Sequence, residues 1–373
     1  MQATFCRSPK SVGTIAVIGP LADSKADLLG SWFGKGTAAE AISVLGGIRA
    51  KVSAATLYSK GADVASESTD GIAPAVEVAR QSDVVILVLG ESSDMSGEAA
   101  SRSSLDLPGQ QEKLLEALAA TGKPIVLVLM SGRPLAISWA AEHVAAILEA
   151  WFPGVEGGDA IADIVFGDIN PSGRLPLSFP RAVGQVPIYY SHLNTGRPPE
   201  ADRRYHTGYL DLPSSPLYPF GYGLSYSKFM FRNLHVGTQL QAQTEMQVSI
   251  EVTNTGTRTG EELVQLYVRE PVSPIARPVL ELKQFERVEL KPGETREVTF
   301  TIKRAQLASL RPNMRYVVSP GTYSVALGPN SAQLMEARFE VPDLENGRAR
   351  KAGARLPSAA VSGKRTKAAA SGR

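Results

Sequence analysis

Three acidic residues follow the most apolar stretch of the chain at short spacing. Glu91, Asp94 and Glu98 lie within eight residues of an apolar run that ends at Gly90, and Arg102 comes four residues after the last acid. Carboxylates placed in this way can act as general acids, general bases or nucleophiles. In the sequence GEAASR, Glu98 stands beside a glycine and a run of small residues, so a ligand can approach its carboxyl closely.

The role of Arg102 has two interpretations at this stage. Its guanidinium can orient one of the acids or a substrate hydroxyl, or it can form a structural salt bridge with Asp94 or Asp106. The three acids themselves can equally be solvated loop residues, because aspartate and glutamate are mostly exposed in proteins. The sequence leaves these alternatives open.

Other chemistries find little support in the residue pattern. The stretch 19–32 after the first apolar run has neither of the phosphate-binding glycine spacings, and no GxSxG nucleophile elbow occurs. Ser131 follows an apolar run, but its flanking residues do not fit a serine nucleophile. One cysteine, Cys6, and four scattered histidines make no metal-ligand spacing. We therefore expect no metal and no cofactor.

Length and charge indicate two domains and a tail. The chain has 373 residues, 43% of them hydrophobic and 20% charged, with a net charge of +2. Residues 344–373 hold eight Lys or Arg and one Glu, so positions 1–343 carry a net charge of −5. A basic tail can bind nucleic acid or anionic surfaces, but its Ala, Ser, Gly and Lys composition favours a disordered, solvated end. We expect no nucleic-acid partner and no membrane partner.

The acids must be positioned by the elements around them, and the first half alternates strand and helix signals. Helical patterns cover 109–124 and 156–168, and short runs rich in Val and Ile, typical of strands buried on both faces, cover 14–19, 83–90, 124–130 and 144–151. This predicts an α/β sandwich domain over 12–180, a mostly parallel sheet with flanking helices. Such sheets bind ligands beyond the carboxyl ends of their strands, where the loop 91–108 lies.

The second half has a different pattern. Residues 181–226 form a Tyr- and Pro-rich connecting segment with no clean period. Over 227–342 the apolar residues alternate with polar ones and turn signals are frequent, which predicts an all-β, fibronectin III-like sandwich. Residues 343–373 are predicted to be a disordered basic tail.

Several long motifs resemble a known family. The stretches GEAASRSSLDLPGQQ, GKPIVLVLMSGRPL, ILEAWFPGVEGGDAIADIVFGDINPSGRLPLSFP and LYPFGYGLSY are similar to the carboxyl-terminal half of glycoside hydrolase family 3, most closely to bacterial periplasmic β-glucosidases. The resemblance covers about residues 12–342. It implies a retaining glycosidase built from a barrel domain, an α/β sandwich and a fibronectin III-like domain, with an Asp nucleophile from the barrel and a Glu acid/base from the sandwich.

Within this chain, the resemblance places Glu98 at the acid/base position. It leaves supporting roles to Glu91, Asp94 and Arg102, and Glu156 is interpreted as a helix start. No residue corresponds to the nucleophile, because a barrel needs about 250 residues and only about a dozen precede the first strand. We expect a truncated or frameshifted product that is inactive on its own.

The expected partners follow from the same resemblance. They are β-linked glucosides or oligosaccharides, provided that a barrel domain is supplied. One alternative is a split glycosidase with a separate barrel chain, and another is a non-catalytic carbohydrate-binding or structural module that uses the tyrosines of 189–226. For those tyrosines we favour interdomain packing. The relatives are periplasmic, but the first residues show no secretory signal, which predicts a cytoplasmic location by default.

Overall fold

The computed structural model describes residues 13–199, 205–237, 240 and 245–343. The predicted disordered tail lies almost wholly outside these residues. No helix in the described ranges is both long enough and apolar enough to cross a membrane.

The first domain is built on a parallel sheet, as predicted. Its five strands lie in the order β2-β1-β3-β4-β5, and every neighbouring pair is parallel. The strands are β1 (Thr14–Ile18), β2 (Ala55–Ser59), β3 (Val84–Gly90), β4 (Ile125–Met130) and β5 (Ala146–Glu149). The central strand β3 is buried along its whole length, because helices cover both faces of the sheet.

Five helices complete this three-layer domain. They are α1 (Val44–Lys51), α2 (Ile72–Arg80), α3 (Gln111–Ala119), α4 (Ser138–His143) and α5 (Gly157–Val165). Helices α2, α3 and α4 pack on one face of the sheet, and α1 and α5 pack on the other. Leu114, Leu115 and Leu118 of α3 are buried together, as their spacing predicts. Glu156 is the N-cap residue of α5.

The sequence analysis did not single out β2, α1, α2 or α4. Strand β2 lies at a sheet edge and is half-exposed, so its apolar signal is weak. Helix α1 contains Gly46 and Gly47, which lower helix propensity. A Cβ at Gly47 would lie 2.3 Å from the carbonyl oxygen of Gly158, so the close crossing of α1 and α5 requires this glycine.

The burial predicted for the fifth strand was wrong. The run 144–151 was expected to be buried on both faces, but all four residues of β5 are only half-buried. The strand lies at the edge of the sheet and is paired with β4 on one side. One flank of an apolar strand is therefore open in the described structure.

The second domain is an antiparallel sandwich, as predicted. One sheet has the order β10-β7-β6 and the other β14-β13-β8-β9. Their strands are β6 (Phe229–Val236), β7 (Glu245–Asn254), β8 (Gly260–Arg269), β9 (Glu281–Leu290), β10 (Thr295–Lys303), β13 (Gly321–Asn330) and β14 (Gln333–Val341), with a small hairpin of β11 (Ser309–Leu310) and β12 (Tyr316–Val317). Alternate residues from both sheets form one apolar core.

The connecting segment divides its tyrosines between packing and solvent. Tyr190 stacks on Phe220, with ring centroids 4.6 Å apart, and meets Tyr267 of β8 edge-on at 5.6 Å. Its neighbour Tyr189 is exposed, as are Tyr205 and Tyr209. The packed rings join the segment to the second domain.

Polar contacts also join the two domains. The Arg174 guanidinium donates to a carboxylate oxygen of Glu262 at 2.6 Å, and both side chains are almost fully buried. The Asn170 amide donates to the Thr259 carbonyl at 2.9 Å. Buried pairs of this kind fix a relative orientation, because breaking one leaves an unpaired charge away from water.

Candidate active site

The loop that carries the three acids begins where the central strand ends. At Gly90 the backbone has φ +138°, and a Cβ there would lie 1.9 Å from the Met130 carbonyl oxygen of β4. Only glycine fits this close approach of two strands. The chain therefore leaves the sheet at a defined point, and the loop 91–108 starts at the carboxyl edge.

A buried amide side chain holds the end of β3. The Gln111 side chain accepts from the Gly90 amide and donates to the Gly90 carbonyl, both at 2.8 Å. It also donates to the Val64 carbonyl at 2.9 Å. Gln111 begins α3, so one residue connects the end of the strand, the next helix and the loop before α2.

Glu91 is fully buried between two guanidinium groups. Arg102 Nη1 lies 2.7 Å from Glu91 Oε1, and Arg133 Nε lies 3.1 Å from Oε2. The alternative that Arg102 pairs with the carboxylate of Asp94 or Asp106 was wrong: its second nitrogen donates to the backbone carbonyl of Asp106 at 3.0 Å. Glu91 is thus an anchor for the loop and is closed to substrate.

Arg133 holds the loop on both sides of Glu98. Its Nη2 donates to the carbonyl of Met95 and, at 2.9 Å, to the carbonyl of Ala100. The sequence analysis weighed Ser131 in this stretch and quoted the stretch as a family motif, but it gave no role to Arg133. The available signal was an arginine three residues beyond the end of a buried strand that neighbours the acidic loop.

A second hold on the loop comes from the segment after β1. The Asp27 carboxylate accepts from the Ser93 amide at 2.8 Å. The Ser31 hydroxyl lies within hydrogen-bonding reach of the carbonyls of Ser93 and Ser96. The loop is therefore fixed from the ends of β1, β3 and β4.

Glu98 lies at the exposed tip of this fixed loop. It is flanked by Gly97 at φ +124° and by Ala99 at φ +61°. A non-glycine residue with positive φ carries backbone strain, and such strain is concentrated at functional sites. No described residue forms a hydrogen bond or ion pair with the Glu98 carboxyl, which leaves it open to a ligand.

Asp94 differs from both glutamates of the loop. It is exposed and its carboxylate accepts from the hydroxyl of Ser92. Glu91 cannot attack a substrate, because it is buried and paired twice. Of the two loop glutamates, only Glu98 can reach a substrate in this structure.

An exposed aromatic residue, Trp32, lies beside the loop, and a second, Phe33, follows it in the chain. Trp32 and Phe33 are 77% and 50% exposed, and the Trp32 ring lies 3.9 Å from where a Cβ on Gly97 would stand. The sequence analysis missed both. Their signal is two consecutive aromatics in a glycine-rich loop, GSWFGKG, at the carboxyl end of a predicted strand. Aromatic rings in such places supply apolar surface to a ligand.

The described residues contain no cluster of three His, Cys, Asp or Glu side chains placed to hold a metal ion. The Glu98 carboxyl and the Trp32 ring are two groups that this surface presents to solvent.

Comparison with protein families matches two models to this chain. Residues 9–226 match the glycosyl hydrolase family 3 C-terminal domain, and residues 262–331 match the fibronectin type III-like domain. The chain belongs to glycoside hydrolase family 3. The open glutamate therefore lies in a domain of a glycosidase family, as the motif resemblance implied.

Its relatives in family 3 are similar over most of the chain. A periplasmic beta-glucosidase of Salmonella typhimurium is 46% identical over 89% of the chain, and a beta-xylosidase of Formosa agariphila is 41% identical over 86%. A beta-glucosidase from Listeria innocua superposes with a TM-score of 0.86 at 36% identity over 91% of the chain, and it has also been solved in complex with glucose.

The chain spans about half the length of the relatives that it matches. It covers 47% of the Salmonella protein, 44% of the Formosa protein and 46% of the Listeria chain. These family 3 proteins thus contain a comparable length of polypeptide beyond the matched part.

Proposed function

We propose that this chain supplies Glu98 as the general acid/base of a retaining β-glucosidase. The nucleophile of that enzyme lies in a second half, which corresponds to the part of the family 3 relatives that this chain does not match. One observation carries the proposal. Glu98 is an exposed carboxyl, without a partner among the residues that the structure describes, on a loop held from three strands at the carboxyl edge of a family 3 sheet. A site of this kind needs a positioned group that remains open to substrate.

The proposed chemistry assigns Glu98 two steps. A retaining glycosidase has two carboxyl groups about 5–5.5 Å apart, one of which attacks the anomeric carbon. In the first step, protonated Glu98 gives its proton to the departing glycosidic oxygen. In the second, the Glu98 carboxylate takes a proton from the water that attacks the glycosyl-enzyme intermediate.

The nucleophile is assigned to the other half for a structural reason. Glu91 is the nearest buried acid in the loop, and two arginines occupy its oxygens. The relatives hold about as much polypeptide again as this chain. That half, in the same polypeptide or as a separate barrel chain, also covers the open face of Glu98, and burial against apolar groups favours the protonated acid.

The proposed substrates are β-linked glucosides. Two of the relatives are named beta-glucosidases, and one Listeria structure contains laminaribiose. β-Xylosides are the second candidate, because a relative that is 41% identical is named a beta-xylosidase. Comparison of aryl β-glucoside and aryl β-xyloside as competing substrates separates the two.

The acid/base role is tested in an enzyme completed with the unmatched half of the Salmonella relative. We expect Glu98→Gln to lower kcat/KM for an alkyl β-glucoside by about 10²–10⁴-fold. The loss should be much smaller for a dinitrophenyl glucoside, because that leaving group departs without a proton. Glu142→Gln, an exposed glutamate on α4, is the matched control.

Two results would contradict the proposal. Full activity of the completed enzyme with Glu98→Gln would exclude the acid/base role. Turnover of an aryl β-glucoside by the purified chain alone, lost in Glu98→Gln, would show that the nucleophile is present here.

A substitution of Trp32 tests separately whether the surface beside Glu98 binds the substrate. Because the ring is exposed, Trp32→Ala should leave the free energy of unfolding unchanged. In the completed enzyme it should raise KM roughly tenfold, through the loss of about 1.5 kcal/mol of apolar contact with a sugar ring. Phe285→Ala, another exposed aromatic on β9, should change neither quantity. An unchanged KM in Trp32→Ala would remove the ring from the substrate site.

A further inference from the structure

The loop tip that carries Glu98 is tied together by one arginine nitrogen. Arg133 Nη2 donates to the carbonyl of Met95 and, at 2.9 Å, to the carbonyl of Ala100. This nitrogen has two hydrogens, one for each carbonyl. The two carbonyls lie on opposite sides of Glu98 in the chain, so the bonds join both legs of the tip. The segment 95–100, tied in this way, is named the acid arch.

The segment that carries Arg133 also supports the acid arch by direct packing. A Cβ on Gly132 would lie 2.6 Å from the Cβ of Ser96, closer than side chains come to one another. The arch therefore lies against bare backbone after β4. In addition, a Cβ on Gly97 would lie 3.3 Å from the Cβ of Ser31. The arch is thus in close contact with the segments after β4 and after β1.

Two arginines share the buried carboxylate of Glu91, but only one of them holds the arch. Arg133 donates through Nε to one oxygen at 3.1 Å, and Arg102 donates to the other at 2.7 Å. The guanidinium groups are similarly shielded, with side chains 18% and 19% exposed. The second nitrogen of Arg102 donates to the carbonyl of Asp106, which lies outside the arch. Arg102 is therefore a natural comparison for Arg133.

The backbone of the arch needs this support. Ala99 has φ +61°, a conformation that costs energy for any residue other than glycine. Strained backbone of this kind persists only where the surroundings hold it in place. Without the tie, we expect the arch to relax and the Glu98 carboxyl to move. A displacement of about 1 Å at a reacting group can cost roughly 10²-fold in rate.

We propose that Arg133 is a positioning residue for the reaction. Its two bonds to the acid arch set where the Glu98 carboxyl stands relative to the departing glycosidic oxygen. The inference rests on the proposed acid/base role of Glu98. Arg133 acts through Glu98, because its Nε and Nη2 are both taken up by acceptors of the protein.

The choice of leaving group separates positioning from general damage. An alkyl β-glucoside needs a proton on its departing oxygen, whereas a dinitrophenyl β-glucoside does not. The enzyme is completed with the unmatched half of the Salmonella relative. Arg133→Lys should lower kcat/KM at least roughly tenfold for the alkyl substrate and less than about twofold for the dinitrophenyl substrate. Lysine keeps a cation beside Glu91 but lacks the rigid fork that reaches the arch.

Two further variants isolate the tie. Arg102→Lys makes the same exchange at the other oxygen of Glu91 and should change kcat/KM for both substrates by the same factor. Gly132→Ala keeps both arginines and displaces the arch at Ser96. It should reproduce the loss that is selective for the alkyl substrate, and it provides the test should Arg133→Lys fail to fold.

The outcomes distinguish this inference from the acid/base role itself. Equal losses for the two substrates in Arg133→Lys, while Glu98→Gln keeps its selective loss, would overturn the positioning role alone. The same selective loss in Arg102→Lys would also overturn it, because the effect would then pass through Glu91. Absence of a selective loss in Glu98→Gln would remove the acid/base role and the positioning role together.

The chain by itself gives a readout that needs no second half. Nuclear relaxation measures the order parameter of the Glu98 amide, which should be about 0.85 in the unchanged chain and below about 0.6 in Arg133→Lys. Arg102→Lys should stay near the unchanged value. An unaltered order parameter in Arg133→Lys would contradict the tie across the arch.

Discussion

At the scale of single residues, two glutamates show how surroundings decide a role. Glu91 is enclosed by the guanidinium groups of Arg102 and Arg133, which satisfy both of its oxygens. Glu149 has one oxygen satisfied by a backbone amide and the other by nothing described. The first carboxyl therefore stabilises a loop through two ion pairs, whereas burial raises the pKa of the second to about 8.

Removal of Arg133 should cost stability and loosen the loop. Arg133→Ala leaves Glu91 buried with a single partner, and the free energy of unfolding should fall by about 3 kcal/mol. Amide exchange over 95–100 should accelerate more than in the sheet, because the carbonyls of Met95 and Ala100 lose their donor. Arg80→Ala removes an exposed pair with Glu77 and should have no measurable effect on urea denaturation. Equal unfolding midpoints for both variants would contradict the anchoring role of Arg133.

The raised pKa of Glu149 should be visible as a pH dependence of stability. Between its ordinary value of 4.5 and about 8, this carboxyl binds more protons in the folded than in the unfolded chain. The free energy of unfolding should therefore fall as pH rises through this window, by roughly 3 to 5 kcal/mol in total.

Glu149→Gln keeps the shape of the side chain and cannot ionise. The difference in unfolding free energy between this variant and the unchanged chain should grow in favour of the variant from pH 5 to pH 8. Urea titrations at four pH values measure it. A constant difference over that range would show that Glu149 ionises normally in the folded chain.

At the scale of elements, the candidate site depends on how one strand ends. β3 ends at Gly90, where only a glycine can lie so close to the Met130 carbonyl oxygen. The Gln111 side chain forms hydrogen bonds with both the amide and the carbonyl of Gly90. The same glutamine begins α3. A strand end, a helix start and the acid loop are thus held in one place by a single side chain.

Replacement of that side chain should destabilise the domain. Gln111→Leu leaves the buried amide and carbonyl of Gly90 without partners, at a cost of about 2–4 kcal/mol. Gln110→Leu is the matched control, since Gln110 pairs only with Glu67 at the surface among the described contacts. Urea denaturation of both variants gives the comparison, and a similar small loss in each would argue against the buried cap.

At the scale of the whole molecule, the two domains are joined by buried polar contacts and by an edge-on contact between two tyrosines. The Arg174–Glu262 pair is nearly inaccessible to solvent, and Tyr190 contacts Tyr267 across the junction. Contacts of this type favour one relative position of the domains. The acid loop and the open edge of β5 both remain accessible in the described arrangement.

Loss of the interdomain ion pair should weaken the joined structure. Arg174→Ala leaves the Glu262 carboxylate buried with only the Leu263 amide as a described partner. Calorimetry should show unfolding at lower temperature, with a loss of about 3 kcal/mol. Arg287→Ala breaks a half-exposed pair with Glu261 at the same junction and should change little. Matching losses in the two variants would contradict the importance of burial.

The sequence determined the fold class, the order of domains and the candidate acid. Val- and Ile-rich runs indicate a parallel sheet because strands covered on both faces need apolar residues at every position. Alternation over 227–342 indicates a sandwich because each strand of a sandwich has one buried face. The motif around Glu98 indicates the family. Each of these features depends on residues that are close together in the chain, so the sequence alone is enough to predict it.

Only the tertiary structure decided which groups meet. Arg133 lies 42 positions from Glu91, and no spacing rule relates the two. Trp32 reaches the loop because β1 and β3 are neighbours in the sheet, although 66 positions separate it from Glu98. The exposure of β5 likewise depends on what pairs with it in space. Contacts between distant parts of the chain follow from strand order and packing. Neither the strand order nor the packing can be read from a single sequence.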